Sequence, residues 1–295
     1  MNYQEFIEDI KSHISNQLST GQKVTIHSVT KNNGHVYDGL CISDTLSNIS
    51  PTIYLNPYYH RYLDGVSLSD IYEDILQTYT QNLPNQDFDV SIFTDFSKAS
   101  KRIVFKLIHK ERNRELLKNV PHIDYLDLAI VFVCCVTDCL HEYATILIHN
   151  THMQFWNISI EKLYTLALQN AVHLMPYHLE NMDHFIQNMC KQQIPLFSEL
   201  SMYILTNQKK IHGASCIVYP GLLEKIAKEL DSNLIIIPSS IHEVLIIPEE
   251  RTKNEYTMQD YQDMIQEVNE TQLTDEEILG DHAYHYNKNT GLISY

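Results

Sequence analysis

Glycine is scarce, with eight in 295 residues. Neither G-x-G-x-x-G nor G-x-x-x-x-G-K-[ST] occurs. Both loops need glycine where the backbone closes on a phosphate, so Rossmann and P-loop nucleotide sites are excluded. Long apolar runs are missing too. The longest, Leu128–Val136, holds nine residues, whereas a helical membrane span needs about 20. That run predicts a core strand or core helix, and no membrane partner is expected. The opening stretch MNYQEFIEDIKSHI is charged and amphipathic, which is not the pattern of a secretory leader. Six cysteines, at 41, 134, 135, 139, 190 and 216, form no CxxC pair. Reduced thiols in a cytoplasmic protein are the expectation, with zinc or thiol chemistry as the alternative.

What is present describes an acidic globular chain. Hydrophobic residues make up 44%, far above the disordered class. The length suits one large core or two intimate ones. We expect a single integrated domain over 1–295, with a loose subdivision near 120 or 200 as the alternative. The formal net charge is −16, and residues 249–281 alone carry eleven acids against Arg251 and Lys253, a net of −9. Such a surface repels phosphate backbones, which makes nucleic acid an unlikely partner. A solvated helix face is the ordinary meaning of a charge run; docking of a basic partner is the sharper one.

Apolar spacing predicts an amphipathic helix over 2–18 and a hairpin from 23–29 to 35–42 around Asn33-Gly34. A short strand is expected at 52–56. Ser67 and Asp70 have the spacing of a capping box for a helix to about 82. Another helix is expected over 85–100, then a strand at 101–109 and a short helix from 110. Strands at 126–137 and 144–149 and helices over 159–173 and 178–192 follow. The last third gives apolar runs at 202–206 and 214–219, a helix after Pro220, paired strands at 233–237 and 244–247, a Thr257-capped helix and a closing hairpin. The order predicts an α+β fold, with mixed and mainly antiparallel sheets, flanking helices and an N-terminal helix–hairpin–helix segment.

The polar insert PSSIHE at 238–243 lies between two apolar strands. Ser239 or Ser240 with His242, oriented by Glu243, could act as nucleophile and base. No G-x-S-x-G elbow surrounds them, so a turn whose serines satisfy backbone groups competes. Asn269, Asp281 and His282 are the residues that would have to converge with His242. Sixteen histidines invite a metal reading, through His149/His152, His282/His285, His122 with Asp124, and His141 with Glu142. No HExxH occurs, and residues three apart on a strand face opposite sides, so no metal and no cofactor is expected. Paired carboxylates such as Asp70/Asp74, Asp124/Asp127 and 275–277 are common in an acidic chain and assign no acid or base. Eight of the 21 Lys and Arg residues fall within 98–118. Lys101, Arg102, Arg112 and Arg114 are candidates for an anion or nucleic acid, against internal charge pairing. Trp156, the single tryptophan, could rim a pocket with Asn150 and His152, or serve as core packing.

Several segments, taken together, carry a resemblance. They are NISPTIYLN at 48–56, PHIDYLDLAIV at 121–131, ATILIHN at 144–150, PSSIHE at 238–243, EVNETQ at 267–272 and DHAYHY at 281–286. Over nearly its full length the chain resembles an uncharacterised domain-of-unknown-function family of anaerobic gut bacteria. The resemblance implies a bacterial cytosolic domain and carries no site residues. From the residues themselves, the first expectation is a non-enzymatic interaction or accessory protein that binds another protein. A hydrolase-like enzyme built on 238–243 and nucleic-acid binding through 98–118 are the alternatives.

Overall fold

The structure is a computed structural model in which residues 1–44, 47–83, 89–136, 144–190, 201–238, 240–252 and 256–295 are described. They are mixed helix and mainly antiparallel sheet, an α+β fold. The chain gathers into two compact units, Met1–Ile92 with Val136–Ala144, and Phe93–Cys135 with Thr145–Tyr295. The division between them falls after Ile92.

In the first unit, helix α1 (Tyr3–Gln17) buries Phe6, Ile7, Ile10 and Ile14, the stripe that its three- and four-residue spacing sets. Asn2 accepts from the Glu5 amide and Glu5 from the Asn2 amide, 2.9 Å each, a reciprocal cap. Strands β1 (Lys23–Thr30) and β2 (Val36–Ser43) pair antiparallel from Thr30↔Val36 outward, closed by a 3₁₀ turn at Asn32–Gly34. Asn33 there takes φ 59°, a left-handed conformation that Asn tolerates. β3 (Thr52–Tyr54) joins β2. Helix α2 (Leu55–Leu63) was not expected from the spacing. Its Pro57 sits in the first turn, where the missing N–H costs no helical bond. Helix α3 (Leu68–Gln81) starts at Ser67, which accepts from the Asp70 amide. Leu40, Ile42 and Ile53 of the sheet and Ile71 and Ile75 of α3 share one core with α1.

The helix expected over 85–100 is broken: residues 84–88 lie outside the described residues, and α4 (Ser91–Thr94) and α5 (Phe96–Ala99) are single turns. Asp95 stands between them and accepts from the Ser97 amide at 2.9 Å, a local bond that competes with continuing the helix. Strand β4 (Ile103–His109), helix α6 (Arg114–Leu117) and strands β5 (His122–Tyr125), β6 (Leu128–Val136) and β7 (Ala144–Leu147) follow. The sheet runs β4-β6-β5, with β7 also pairing β6. All nine residues of β6 are buried, as the unbroken apolar run requires. Helix α7 (Asn150–Trp156) leads to α8 (Ile160–Leu174), whose Asn170 donates to the Ser100 and Ile103 carbonyls at 2.8 Å.

Where one helix was expected over 178–192, β8 (Tyr177–Asn181) precedes α9 (Met182–Cys190). Pairing with β9 (Tyr203–Asn207), from Tyr177↔Asn207, decides this against local propensity. The run at 214–219 is mostly a 3₁₀ helix (Gly213–Val218). Next come α10 (Leu222–Leu230), β10 (Leu234–Ile237), β11 (Val244–Pro248), α11 (Met258–Thr271), β12 (Tyr284–Tyr286) and β13 (Ile293–Ser294). The second sheet of this unit is antiparallel in the order β13-β12-β10-β11-β9-β8. Tyr261 and Ile265 of α11 pack on Ile235, Ile237 and Ile247, which fixes the helix on one sheet face.

Candidate functional site

β4 and β6 pair so that His109 lies opposite Leu128. This brings the polar end of β4 beside Asp127, which follows Leu126 (φ 57°) in the tight turn between β5 and β6. The segment 280–284, which leads from α11 into β12, lies against this corner. Asp281 and His282 are consecutive and reach different partners. Asp281 Oδ2 meets His109 Nε2 at 2.8 Å, and Asp281 Oδ1 takes Arg112 at 3.1 Å. His282 Nδ1 meets Asp127 Oδ2 at 2.9 Å, and the Tyr284 hydroxyl donates to Asp127 Oδ1 at 2.5 Å.

Protonation states follow from donors and acceptors. His109 Nδ1 accepts the Arg112 amide, so the ring carries its proton on Nε2 and donates to Asp281. That hydrogen bond, helped by the Arg112 guanidinium and opposed by partial burial, holds the Asp281 carboxyl below the usual range. Burial and the neighbouring Asp127 push the Tyr284 hydroxyl well up, which keeps it a donor.

Asn269, in the last turn of α11, is 8% exposed. Its Nδ2 donates to the Gly280 carbonyl at 3.1 Å and toward Asp281 Oδ1 at 3.5 Å. Its Oδ1 is buried and accepts from none of the described residues. Asn269 lines a cleft of about 550 Å³ with Arg112, Gln266, Glu270, Asp275 and Asp281. Asn269, Asp281 and Arg112, which the sequence placed in two separate candidate sets, meet here.

The 238–243 insert lies elsewhere in the same unit. Ser239 lies outside the described residues. Ser240 is buried and its Oγ accepts from the His242 amide at 3.0 Å, the backbone-satisfying role of a turn serine. His242 Nδ1 accepts from the His212 amide at 3.4 Å, and the two rings stack at 5.8 Å. Glu243 is half-buried and carries no hydrogen bond to the His242 ring. Burial first, then Lys106 and His242, pushes His212 down to about 3, so this ring is neutral. The insert is tied to the segment before Asp281 through the Ile241 amide on the Glu277 carbonyl and a bridge between Ser240 and Ile278. No hydrogen bond joins His242 to Asp281, His282 or Asn269 among the described residues.

In the basic segment, Lys110 pairs with Asp124, Arg112 with Asp281, Arg114 with Glu111 and Lys118 with Glu115. Lys101 is exposed and Arg102 half-buried, the Arg102 carbonyl accepting the Cys135 amide at 2.9 Å. The histidine pairs also separate. His149 and His152 bond through one backbone amide at the start of α7, while His282 faces Asp127 and His285 faces Glu249. His141 and Glu142 lie outside the described residues. Cys134 and Cys216 are free and buried, and burial lifts both thiols to about 12, which makes them unreactive. Trp156 is buried against Phe93 and Phe96 and donates to the Phe93 carbonyl, which is core packing.

His109 and Asp127 were not among the candidates. His109 closes β4 and Asp127 adjoins the unbroken apolar β6, positions that sequence marks but cannot pair with Asp281 and His282. Fold and site define an α+β protein with a carboxylate–imidazole corner beside an acidic cleft. The chain belongs to a family of unknown function (DUF5688), which it matches over residues 3–288. Comparison with curated proteins and with solved structures gives no match. No described helix is long and apolar enough to cross a membrane.

Proposed function

We propose that this is a non-enzymatic interaction protein of the bacterial cytoplasm that docks a basic segment of another protein on the outer face of α11. One observation carries this reading. Asp260, Asp263, Glu267 and Glu270 are exposed and recur at steps of three and four on that helix. None makes an ion pair with a described residue; Asp263 and Glu270 bond to Gln259 and Gln266. Like charges at this spacing destabilise a helix by a few tenths of a kcal/mol per pair. A row left unneutralised, on a helix anchored by Tyr261 and Ile265, is relieved by an arriving cationic chain. The basic segment 98–118, by contrast, pairs four of its cations with carboxylates of the same chain, Asp124, Asp281, Glu111 and Glu115, which counts against nucleic acid.

The test is binding of a lysine- and arginine-rich peptide, with the triple variant Asp263→Asn, Glu267→Gln, Glu270→Gln beside the parent. The parent should bind at low salt and lose binding toward about 1 M, where the Debye length is about 3 Å. The triple variant should bind at least about fivefold more weakly. Equal binding by both chains would overturn the reading.

A second reading, hydrolysis, rests on a different pair from the 238–243 insert. Asp127 holds His282 through Nδ1, the arrangement that orients an imidazole as a general base. A hydrolase screen in which His282→Gln matches the parent on every substrate turned over would dismiss it.

A further inference from the structure

We infer that strand β1 pairs edge to edge with β1 of a second copy of this chain, joining two three-stranded sheets into one of six strands. The surface belongs to the first unit, so the inference stands apart from docking on α11. β1 is an edge of its sheet and, at eight residues, the longest edge strand among the described residues. Which of its main-chain groups are open follows from β2. The Asp38 amide donates to Asn56 Oδ1 at 2.9 Å, and the Ile42 carbonyl accepts from Ser50 at 2.8 Å. Even-numbered residues of β2 therefore turn their main chain toward the residues that flank β3, and odd-numbered ones bond β1. The register sets odd residues opposite odd and even opposite even. Bonded and unbonded pairs alternate in an antiparallel ladder, so Val24, Ile26, Ser28 and Thr30 point their N–H and C=O groups away from β2. These groups bond to none of the described residues.

Proteins blunt such edges with short strands, proline, bulges or inward-pointing charge. β1 has no proline, runs one-to-one with β2 without a bulge, and carries its one lysine, Lys23, at its end. Ser28 and Thr30 are exposed. Charge and face then select the partner. Residues 1–92 hold eleven Asp and Glu against four Lys and Arg, yet β1 holds no carboxylate, so two copies meet here without facing acids. Val24 and Ile26 pack into the core with α1 and α3. A two-fold partner must therefore set even residues opposite even ones to keep both cores on one side of the joined sheet. The two longest overlaps pair residues 23–29, centred on Ile26, or 24–30, centred on His27. The second sets His27 opposite itself and Lys23 opposite Lys31. The first sets Ile26 opposite Ile26, Thr25 opposite His27 and Lys23 opposite Val29, with no like charges facing. The pairing is centred on Ile26.

The experiment is sedimentation equilibrium of the full chain across concentration, with amide hydrogen exchange read alongside. A monomer–dimer equilibrium is expected, tightened by salt because each copy carries a net charge of −16. Exchange at the Val24, Ile26 and Ser28 amides should slow as concentration rises. Ser28→Pro removes one open N–H and the exposed side-chain bond to Asp38, and leaves the β1–β2 ladder whole. It should weaken association at least about tenfold. Thr25→Lys with His27→Lys sets lysine opposite lysine and should weaken it about as much, whereas Thr25→Glu with His27→Lys sets opposite charges there and should restore it. These two pairs keep the main chain of β1 intact, so they decide the matter if Ser28→Pro does not fold. A chain that stays monomeric up to about 1 mM, or a dimer that neither Ser28→Pro nor the lysine pair weakens, would overturn the inference. A dimer that responds equally to the lysine pair and the Glu–Lys pair overturns the register.

Discussion

Single side chains in the second unit set how it responds to acid. His212 stays neutral in the fold because burial and Lys106 oppose its charge, while in the unfolded chain it titrates near 6.5. The unfolded state therefore binds more protons between those values, and stability is lost as pH falls from about 6.5 toward 3. His212→Asn removes the titration and suits the left-handed φ of 53°. Between pH 7 and pH 5 its urea midpoint should fall less than the parent's, by on the order of 1 kcal/mol in stability. Asp281 titrates lower. Its folded carboxyl is depressed by His109 and Arg112, so its contribution is full above the usual carboxylate range and is lost as pH falls below it. Asp281→Asn should accordingly cost stability at pH 6 and approach the parent near pH 3 in the same urea titrations. Tyr284→Phe leaves Asp127, 15% exposed at its side chain, with one bond fewer, for a loss of about 1–3 kcal/mol in thermal or urea unfolding.

Elements are held by a few close fits. Gly213 opens the 3₁₀ turn beneath the 238–243 insert, and a Cβ there would collide with Thr206 Oγ1, the His242 carbonyl and the Asn207 nitrogen. Thr206 Oγ1 itself donates to that carbonyl at 2.7 Å, so the neighbours cannot retreat without breaking a bond. Gly213→Ala should cost about 1–3 kcal/mol by chemical denaturation. Helix α11 begins at Thr257, which accepts from the Asp260 amide while Asp260 accepts from the Thr257 amide. Thr257→Ala should cost about 1 kcal/mol and lower the thermal midpoint. These elements show what local pattern can say. The Ser67 and Thr257 caps, the Asn33-Gly34 hairpin and the apolar stripe of α1 form as their spacing predicts, because each is settled by neighbours a few residues away. The strand at 177–181 and the broken helix after 90 were not legible. The first is decided by pairing with a strand 22 to 30 residues on, the second by the Asp95 side chain taking a backbone amide.

At the scale of the whole chain, a net charge of −16 with more than half in 249–281 gives long-range attraction for cations that salt screens. Association with a basic peptide should slow as ionic strength rises while dissociation changes less, which stopped-flow binding measures directly. Composition and order alone determined the α+β class, the lack of glycine phosphate loops, the buried β6 run and the acidic C-terminal segment, since these depend on residue type and short-range periodicity. Tertiary structure alone decided that Asp281 faces His109 across 172 positions and His282 faces Asp127 across 155. It also turned the Ser240 and His242 pair into a backbone-bonded turn and placed Asn269 and Arg112 on one cleft. Hydrogen bonds of this kind are chosen by strand register and helix placement, and a one-dimensional pattern does not encode which distant polar groups those bring within three ångströms.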